Sequence, residues 1–396
     1  MSSALPKSEQ HSTRIAYFAG TMKPGHDGVT RVLYRLIDSL RDRRIANVFY
    51  SALIPLIGQR PTEMFEVPSV RIPMYRGHRF ALPGQKYFED HLASFKPDLI
   101  HINSPCPLGY AAVQYGRMHR IPVVATYHTH FVSYANYYKV SPLELLGWNY
   151  MRKLYNSCQR VYVPSVPIVN ELGGHGIGNL KFLPHGVDTT VFHPQFRSRT
   201  WKEELGIGGK SVLLFVGRLV WEKDLRTLAE AYRILSARRS DVVCVLVGDG
   251  PIHEELRQLM PGAVFLGYKS GHGLSTAYAS SDLFVFPSTT ETFGNVTVEA
   301  MASGLVPVCA REGGAHGSIQ PGVTGLLTEP RDAADLVEKI EYLLDRPGKR
   351  AEMADQALRY ARCQTWDRIF DDLFADYEEL LRDFIHLQPA KRRKAA

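Results

Sequence analysis

Two basic residues stand in one loop that opens with a glycine. Gly217 follows an apolar run at 212–216, and Arg218 and Lys223 come before a helical pattern that starts near residue 225. A loop between a strand and a helix is a common place for phosphate to bind, because free N–H groups at the helix start point at the anion. The planar guanidinium of Arg218 and the ammonium of Lys223 could hold a diphosphate there. The same spacing also fits two solvated loop cations.

Two glutamates, Glu291 and Glu299, follow another apolar run at 283–286. Asn295 lies between them and could cap a helix. Glu291 would then precede this helix, and Glu299 would lie in its first turns. Carboxylates are good acceptors for sugar and ribose hydroxyls. A structural role remains the alternative for Glu299, because the helix dipole favours a carboxylate near the N-terminus.

Two further turns carry glycines that would let the backbone approach a ligand. Gly250 lies in the turn 248–251 after the apolar run 242–247, and Gly28 ends the loop 24–28. Glycine also serves ordinary turns, so both patterns have a purely structural alternative. The first loop lacks the G-x-G-x-x-G spacing of dinucleotide-binding proteins.

A histidine pair, His128 and His130, follows the apolar run 123–126. On a strand the two side chains would point to opposite faces, and no nearby acidic residue or cysteine completes a set of metal ligands. We expect one histidine to reach into a binding site, with a buried core histidine as the alternative. The sequence contains no Asp-x-Asp, so we expect no metal.

Short apolar runs alternate with amphipathic helical patterns along most of the chain, which indicates parallel sheets covered on both faces. The predicted strands are residues 14–18, 48–53, 99–102, 123–126, 161–163, 212–216, 242–247, 264–266, 283–286 and 306–308. The series restarts near residue 210, after a polar segment. We therefore predict an α/β protein of two doubly wound domains, facing each other across a cleft at the carboxyl ends of both sheets.

The polar segment sets the predicted domain boundary. We expect a first domain at 1–195, joined by a terminal helix at 366–384, and a second domain at 196–365. The basic tail at 385–396 is expected to be disordered.

Composition narrows the class further. With 45% hydrophobic and 22% charged residues among 396, the chain is not mostly disordered. A net charge of +7 favours anionic partners such as nucleotides or acidic lipid, and its even spread argues against nucleic acid. The sequence shows no membrane-spanning stretch, no secretory signal and only five scattered cysteines. These features predict a cytoplasmic protein.

Taken together, the motifs resemble the retaining glycosyltransferases of family 4, which have the GT-B fold of two Rossmann-like domains. The matching pieces, in order, are 27–29, 127–130, 185–188, Gly217-Arg218 with Lys223, 248–251, and Glu291 with Glu299. The runs 185–197, 247–256 and 290–308 are most similar to lipid-directed bacterial mannosyltransferases and sulfoquinovosyl diacylglycerol synthases.

The resemblance implies four catalytic residues. Arg218 and Lys223 would hold the donor diphosphate and stabilise the leaving group electrostatically. Glu291 would contact the sugar hydroxyls, and His128 would line the acceptor side near the anomeric carbon. Around them the donor would be bound by Gly28, Gly217, Gly250, Tyr268, Phe293, Gly294, Asn295 and Glu299. Within this set, Tyr268 would lie beside the nucleobase and Glu299 would hold the ribose.

Two positions depart from the family pattern. Asp224 stands where many relatives have glycine after the lysine, and we expect it to change only the turn. Residues 315–317, Ala-His-Gly, stand where relatives often have Pro-Glu after paired glycines. Any role usually given to that glutamate is therefore in doubt here.

The resemblance implies a metal-independent, retaining transfer of a hexose, preferably mannose from GDP-mannose, to a hydroxyl of a glycolipid or diacylglycerol-type lipid. Aromatic and basic residues at 127–155 suit peripheral contact with an anionic inner membrane face, and ordinary packing is the alternative. A UDP-sugar-dependent glucosyl or sulfoquinovosyl transferase, a GT-B phosphorylase or epimerase, and a non-catalytic nucleotide-sugar-binding protein remain open.

Overall fold

The computed structural model describes residues 13–24, 28–71, 79–82, 84–128 and 141–387. The strands are β1 Arg14–Ala19, β2 Ala46–Ser51, β3 Met64–Glu66, β4 Ser69–Arg71, β5 Arg79–Ala81, β6 Leu99–Ile102, β7 Val123–Thr126, β8 Arg160–Val163, β9 Leu180–Phe182, β10 Ser211–Val216, β11 Val242–Val247, β12 Val264–Phe265, β13 Leu283–Phe286, β14 Val306–Ala310 and β15 Leu326–Thr328.

The α-helices within the same residues alternate with the strands. They are α1 Gly28–Asp42, α2 Glu89–Phe95, α3 Pro107–His119, α4 Ser141–Tyr155, α5 Val166–Gly174, α6 Trp201–Glu204, α7 Leu225–Arg238, α8 His253–Leu259, α9 Gly271–Ser280, α10 Asn295–Ala302, α11 Ala333–Leu344, α12 Pro347–Arg362 and α13 Trp366–Leu387. Each predicted strand is present, although the run predicted at 48–53 ends at Ser51.

The first sheet has the strand order β3-β2-β1-β6-β7-β8-β9. Strand β1 pairs in parallel with β2 on one side and with β6 on the other. The chain therefore reverses its direction of travel across the sheet between β1 and β6. The loop after β1 leads to Gly28 at the start of α1.

The second sheet has the order β12-β11-β10-β13-β14-β15, and its pairings are parallel. Strands β11 and β13 are fully buried, as their continuous apolar sequences require. The chain moves outward from β10 to β12, then returns to place β13 beside β10. Ligands of such sheets bind outside the carboxyl ends of the strands at this reversal. The predicted α/β class with two doubly wound sheets is confirmed.

Internal contacts divide the chain into two compact units. The first contains residues up to 127, residues 150–162 and those from 372 onward; the second contains 128–149 and 163–371. Helix α13 thus contributes its larger part to the first unit. It runs to Leu387, beyond the predicted end at 384. The domain boundary predicted at residue 195 stays a prediction.

Buried polar contacts fix α13 within the first unit. The carboxylate of Asp376 forms an ion pair with Arg160 and accepts a hydrogen bond of 2.6 Å from the Tyr162 hydroxyl. One ring nitrogen of His101, Nδ1, contacts the Tyr377 hydroxyl, and its Nε2 lies 2.7 Å from Thr126 Oγ1. These hydrogen bonds hold α13 in one orientation, because leaving a buried polar group unpaired would cost free energy.

The buried imidazole of His101 predicts a pH dependence of stability. Burial lowers the pKa of His101 to about 3, whereas an exposed histidine titrates near ~6.5. Below about pH 6.5, His101 therefore binds a proton in the unfolded chain but not in the folded protein. The folded state should therefore lose up to ~1.4 kcal/mol per pH unit from this residue as the pH falls.

Urea denaturation of the wild type and of His101→Gln at several pH values between neutrality and mild acid tests this expectation. The variant should be less stable at neutral pH, and its stability should fall less steeply with acidification. Parallel curves for the two proteins would contradict it.

Candidate active site

Two of the predicted catalytic residues, Lys223 and Glu291, form an ion pair. Lys223 ends a 3-10 turn at 221–223 after β10, and Glu291 lies in the loop after β13. Because β10 and β13 are hydrogen-bonded neighbours, their carboxyl-end loops are adjacent. The side chains are 15% and 19% exposed, so the pair is largely desolvated and still reachable by a ligand.

Two neighbouring side chains contact this ion pair. Ser288 donates a hydrogen bond of 3.3 Å from Oγ to Glu291 Oε1. The ammonium of Lys223 lies 5.9 Å from the centroid of the Phe286 ring, within the range of a cation–π contact. Phe286 is the last residue of β13 and Ser288 follows two residues later, so the end of the strand and the start of the loop after it position the charges.

The segment 288–294, here called the Glu291 loop, is held by its own backbone. The Glu291 carbonyl accepts a hydrogen bond of 2.5 Å from Gly314 N–H. A Cβ on Gly314 would lie 1.9 Å from the Thr292 carbonyl oxygen, so the two backbones pack without room for a side chain. Thr290 Oγ1 donates to the Glu222 carbonyl at 3.0 Å, which ties the loop to the turn carrying Lys223.

Thr292 anchors the same loop through its backbone carbonyl and its side-chain hydroxyl. Its carbonyl accepts a hydrogen bond of 2.7 Å from Ser165 Oγ, and its hydroxyl donates to the His128 carbonyl at 2.9 Å. His128 follows β7, and the structure thus brings it beside the Glu291 loop. His130 lies outside the described residues.

Helix α10 begins directly after the Glu291 loop. Gly294 occupies the N-cap position with φ +79° and offers no side-chain cap, and Asn295 is the first helical residue. The expectation that Asn295 caps the helix is therefore wrong. Since the first N–H groups of a helix have no partner within it, this uncapped start can donate to a ligand. Phe293, the residue before Gly294, is buried.

Asn295 is instead held by His185, a residue for which the sequence predicted no individual role. His185 Nδ1 lies 2.8 Å from Asn295 Oδ1; the amide oxygen accepts, so Nδ1 carries the proton. Burial lowers the pKa of His185 to about 4, and the ring is neutral. Its Nε2 is then a buried acceptor without a partner among the described residues. The His128 ring lies 5.8 Å away, centroid to centroid.

Glu299 is buried on α10 and one of its oxygens, Oε2, accepts a hydrogen bond of 2.9 Å from the Tyr278 hydroxyl. Tyr278 comes from α9 and is itself fully buried. This contact fixes the orientation of the carboxylate. The predicted ribose contact of Glu299 remains a prediction.

The predicted diphosphate loop, 217–220, packs backbone to backbone against the turn 248–251. Leu219 N–H donates to the Asp249 carbonyl at 2.9 Å. A Cβ on Gly250 would lie 2.1 Å from the Leu219 carbonyl oxygen, so this glycine has a packing role whatever it binds. Arg218 is exposed in the loop, and no carboxylate in the described part of the chain pairs with it.

The remaining predicted donor contacts lie at loops of the two sheets. Tyr268 is 73% exposed, and the neighbouring Gly267 carbonyl accepts from Gly248 N–H at 2.9 Å, which links its loop to the turn 248–251. Gly28 belongs to the first unit.

The described helices include none long and apolar enough to cross a membrane.

Comparison with known proteins agrees with this geometry. Residues 26–191 match the family model Glycosyltransferase Family 4, and residues 197–360 match Glycosyl transferases group 1. The GDP-mannose-dependent alpha-mannosyltransferase of Corynebacterium glutamicum is 34% identical over 383 residues, covering 93% of this chain and 89% of that protein. The sulfoquinovosyl transferase SQD2 of Arabidopsis thaliana is 37% identical over 306 residues, covering 75% of this chain and 57% of that protein.

Solved structures support the fold independently. Sucrose-phosphate synthase from Thermosynechococcus elongatus superposes with a TM-score of 0.78 at 20% identity, over 94% of this chain and 100% of that one. The two sheets and the loops at their carboxyl ends are those of a GT-B glycosyltransferase. More particularly, the chain belongs to glycosyltransferase family 4 and is a hexosyltransferase.

The close packing at Gly250 yields a stability prediction. Gly250→Ala should destabilise the protein by ~1–3 kcal/mol, because the added methyl group must displace the Leu219 backbone. Gly348→Ala is the control, since a Cβ there meets nothing within 4 Å; it should be neutral or stabilising by up to ~1 kcal/mol. Thermal unfolding of both variants measures the difference, and equal stabilities would refute the packing role.

Proposed function

We propose that this protein transfers mannose from GDP-mannose, with retention at the anomeric carbon and without a metal, to a hydroxyl group of a lipid acceptor. The observation that carries the proposal is the Lys223–Glu291 ion pair at the reversal of the second sheet. It puts a cation for phosphate beside a carboxylate for sugar hydroxyls, next to an uncapped helix start.

The donor diphosphate would exchange partners with this ion pair. Its oxygens compete for Lys223 and bind the exposed guanidinium of Arg218 as well, so that two protein cations neutralise the charge that a metal would otherwise balance. Glu291, released from Lys223, accepts hydrogen bonds from the sugar. The Glu291 loop keeps its place because its anchors do not involve the pair itself.

The bond that breaks joins the anomeric carbon to the diphosphate oxygen, which leaves with the electron pair. Lys223 and Arg218 stabilise the growing negative charge on this oxygen. The acceptor hydroxyl attacks the same face, forms the new glycosidic bond, and passes its proton to the leaving phosphate. Same-face attack without a protein nucleophile is what the resemblance to the retaining enzymes implies.

The choice of GDP-mannose as donor rests on the similarity of this chain to named relatives. The mannosyltransferase of C. glutamicum is named for its GDP-mannose dependence and matches this chain over nearly all of its length. The second candidate donor is a UDP-sugar such as UDP-sulfoquinovose, favoured by the higher identity to SQD2 over a shorter span.

A lipid acceptor is supported by the surface of α4. Leu145 and Leu146 are both more than 60% exposed on this helix, whose last turn carries Arg152 and Lys153. Exposed apolar residues followed by cations suit the interface of an anionic membrane. We propose that the protein acts from the cytoplasm on the inner membrane face.

The catalytic assignment predicts the effect of two alanine variants. Lys223→Ala and Glu291→Ala should each lower mannose transfer into extractable lipid by ~10²-fold or more, because each removes an interaction with charge or hydroxyls in the transition state. The assay uses radiolabelled GDP-mannose and vesicles of diacylglycerol with anionic phospholipid.

A matched control is an ion pair at the amino-terminal end of β13, at the other end of the strand from Glu291. Lys202 pairs with Asp282 at 2.7 Å, with 21% and 14% exposure, just before β13 begins. Lys202→Ala removes a comparable ion pair and should leave transfer unchanged. If transfer survives in both site variants, Lys223 and Glu291 are not the catalytic pair.

Thermal stability with nucleotides tests the donor and the metal. GDP and GDP-mannose should raise the unfolding temperature, by the equivalent of ~2.7 kcal/mol at a hundredfold excess over Kd, and EDTA should not remove the shift. UDP and ADP should shift it little. A shift with UDP alone would move the donor to UDP-sugars, and a shift abolished by EDTA would contradict metal independence.

A further inference from the structure

Asp224, the residue after Lys223, occupies a backbone conformation that favours glycine. Its φ is +51°, in the left-handed region that glycine adopts freely and that aspartate and asparagine enter more often than other residues. The side chain is nevertheless buried, with 6% exposure. A buried carboxylate is unfavourable by itself, so its contacts must compensate.

The carboxylate of Asp224 reaches across to the Glu291 loop. Its Oδ2 accepts a hydrogen bond of 3.2 Å from the Thr289 backbone N–H and a second one from the Thr289 hydroxyl. Thr289 lies two residues before Glu291. The expectation that Asp224 changes only the turn is therefore wrong, because its side chain connects the loops after β10 and β13.

Arg331 completes this contact from a third loop. Its Nε lies 3.5 Å from Asp224 Oδ1, and its Nη2 lies 3.3 Å from Thr289 Oγ1 and 3.6 Å from Glu312 Oε1. Burial raises the pKa of Asp224, while the bonds from Thr289 and the charge of Arg331 act in the opposite direction. The carboxylate thus has two hydrogen-bond donors from Thr289 on one oxygen and a cation near the other.

We propose that Asp224 is a positioning residue for catalysis: it joins the turn that ends in Lys223 to the loop that carries Glu291. The inference rests on the proposed role of these two residues. When the donor diphosphate draws Lys223 away from Glu291, the Asp224–Thr289 bonds remain, since they involve neither catalytic side chain. They keep the two loops at a fixed spacing while the catalytic charges exchange partners.

The variant Asp224→Gly separates the effect of the side-chain contact from that of the backbone conformation. Glycine adopts the same φ without strain and, in the family resemblance, many relatives have it here, so the turn should persist while the contact to Thr289 is lost. We expect kcat for mannose transfer to fall about tenfold or more, with a smaller change in KM for GDP-mannose, because misplaced catalytic groups impair the transition state more than binding.

Two variants test whether the hydrogen bonds carry the effect. Asp224→Asn retains an acceptor oxygen and tolerates positive φ, so it should recover most of the lost kcat. Thr289→Val removes the hydroxyl donor from the other side and should lower kcat in the same direction. Lys96→Gly is the control for backbone relief, since Lys96 has the same φ of +51° in the first unit; its kcat should equal that of the wild type.

The outcomes distinguish this inference from the function on which it rests. A wild-type kcat in Asp224→Gly, or no recovery in Asp224→Asn, overturns the positioning role while a strong loss in Lys223→Ala and Glu291→Ala leaves the catalytic pair intact. Full transfer in those two alanine variants refutes the catalytic pair itself. If Asp224→Gly does not fold, Thr289→Val decides: reduced kcat supports the role and wild-type kcat overturns it.

Discussion

The ion pair between Lys223 and Glu291 is the interaction on which the site depends. It forms because the chain reverses its direction between β12 and β13 and sets β13 beside β10, so that two loops far apart in sequence meet at one edge of the sheet. Partial burial makes either charge costly without a partner. Each residue therefore holds the other in place, and in the proposed mechanism the donor diphosphate replaces Glu291 as the partner of Lys223.

The polar groups around this pair anchor the loops through hydrogen bonds that do not involve the side chains of Lys223 and Glu291. Thr290 and Thr292 bond to backbone carbonyls outside the loop, and the neutral His185 orients Asn295 at the start of α10. Such preorganisation matters for transfer chemistry, because stabilising a leaving diphosphate requires charges that need not reorganise as the bond breaks. Glu299, fixed by Tyr278, extends the same arrangement one turn into the helix.

The sequence was sufficient to predict most strands of both sheets and the loops that carry Lys223 and Glu291, since continuous apolar runs mark the strands and polar segments follow them. Strands β3, β9 and β15 of the two sheets were missed, as were β4 and β5, and each of these strands has only three residues. The Asn295 cap was mispredicted since Gly294 adopts positive φ and takes the cap position. The contacts of His185 with Asn295 and of Asp224 with Thr289 could not be predicted, because they depend on strand order, which apolar runs do not specify.

A crystal structure with GDP-mannose, or with a slowly reacting fluorinated analogue, would show which groups of the protein hold the donor. We expect Lys223 Nζ to leave Glu291 and to lie within hydrogen-bond distance of a diphosphate oxygen. Arg218 should contact the same diphosphate, and Glu291 should accept from a sugar hydroxyl. A nucleotide sugar bound elsewhere, with the Lys223–Glu291 pair unbroken, would contradict it.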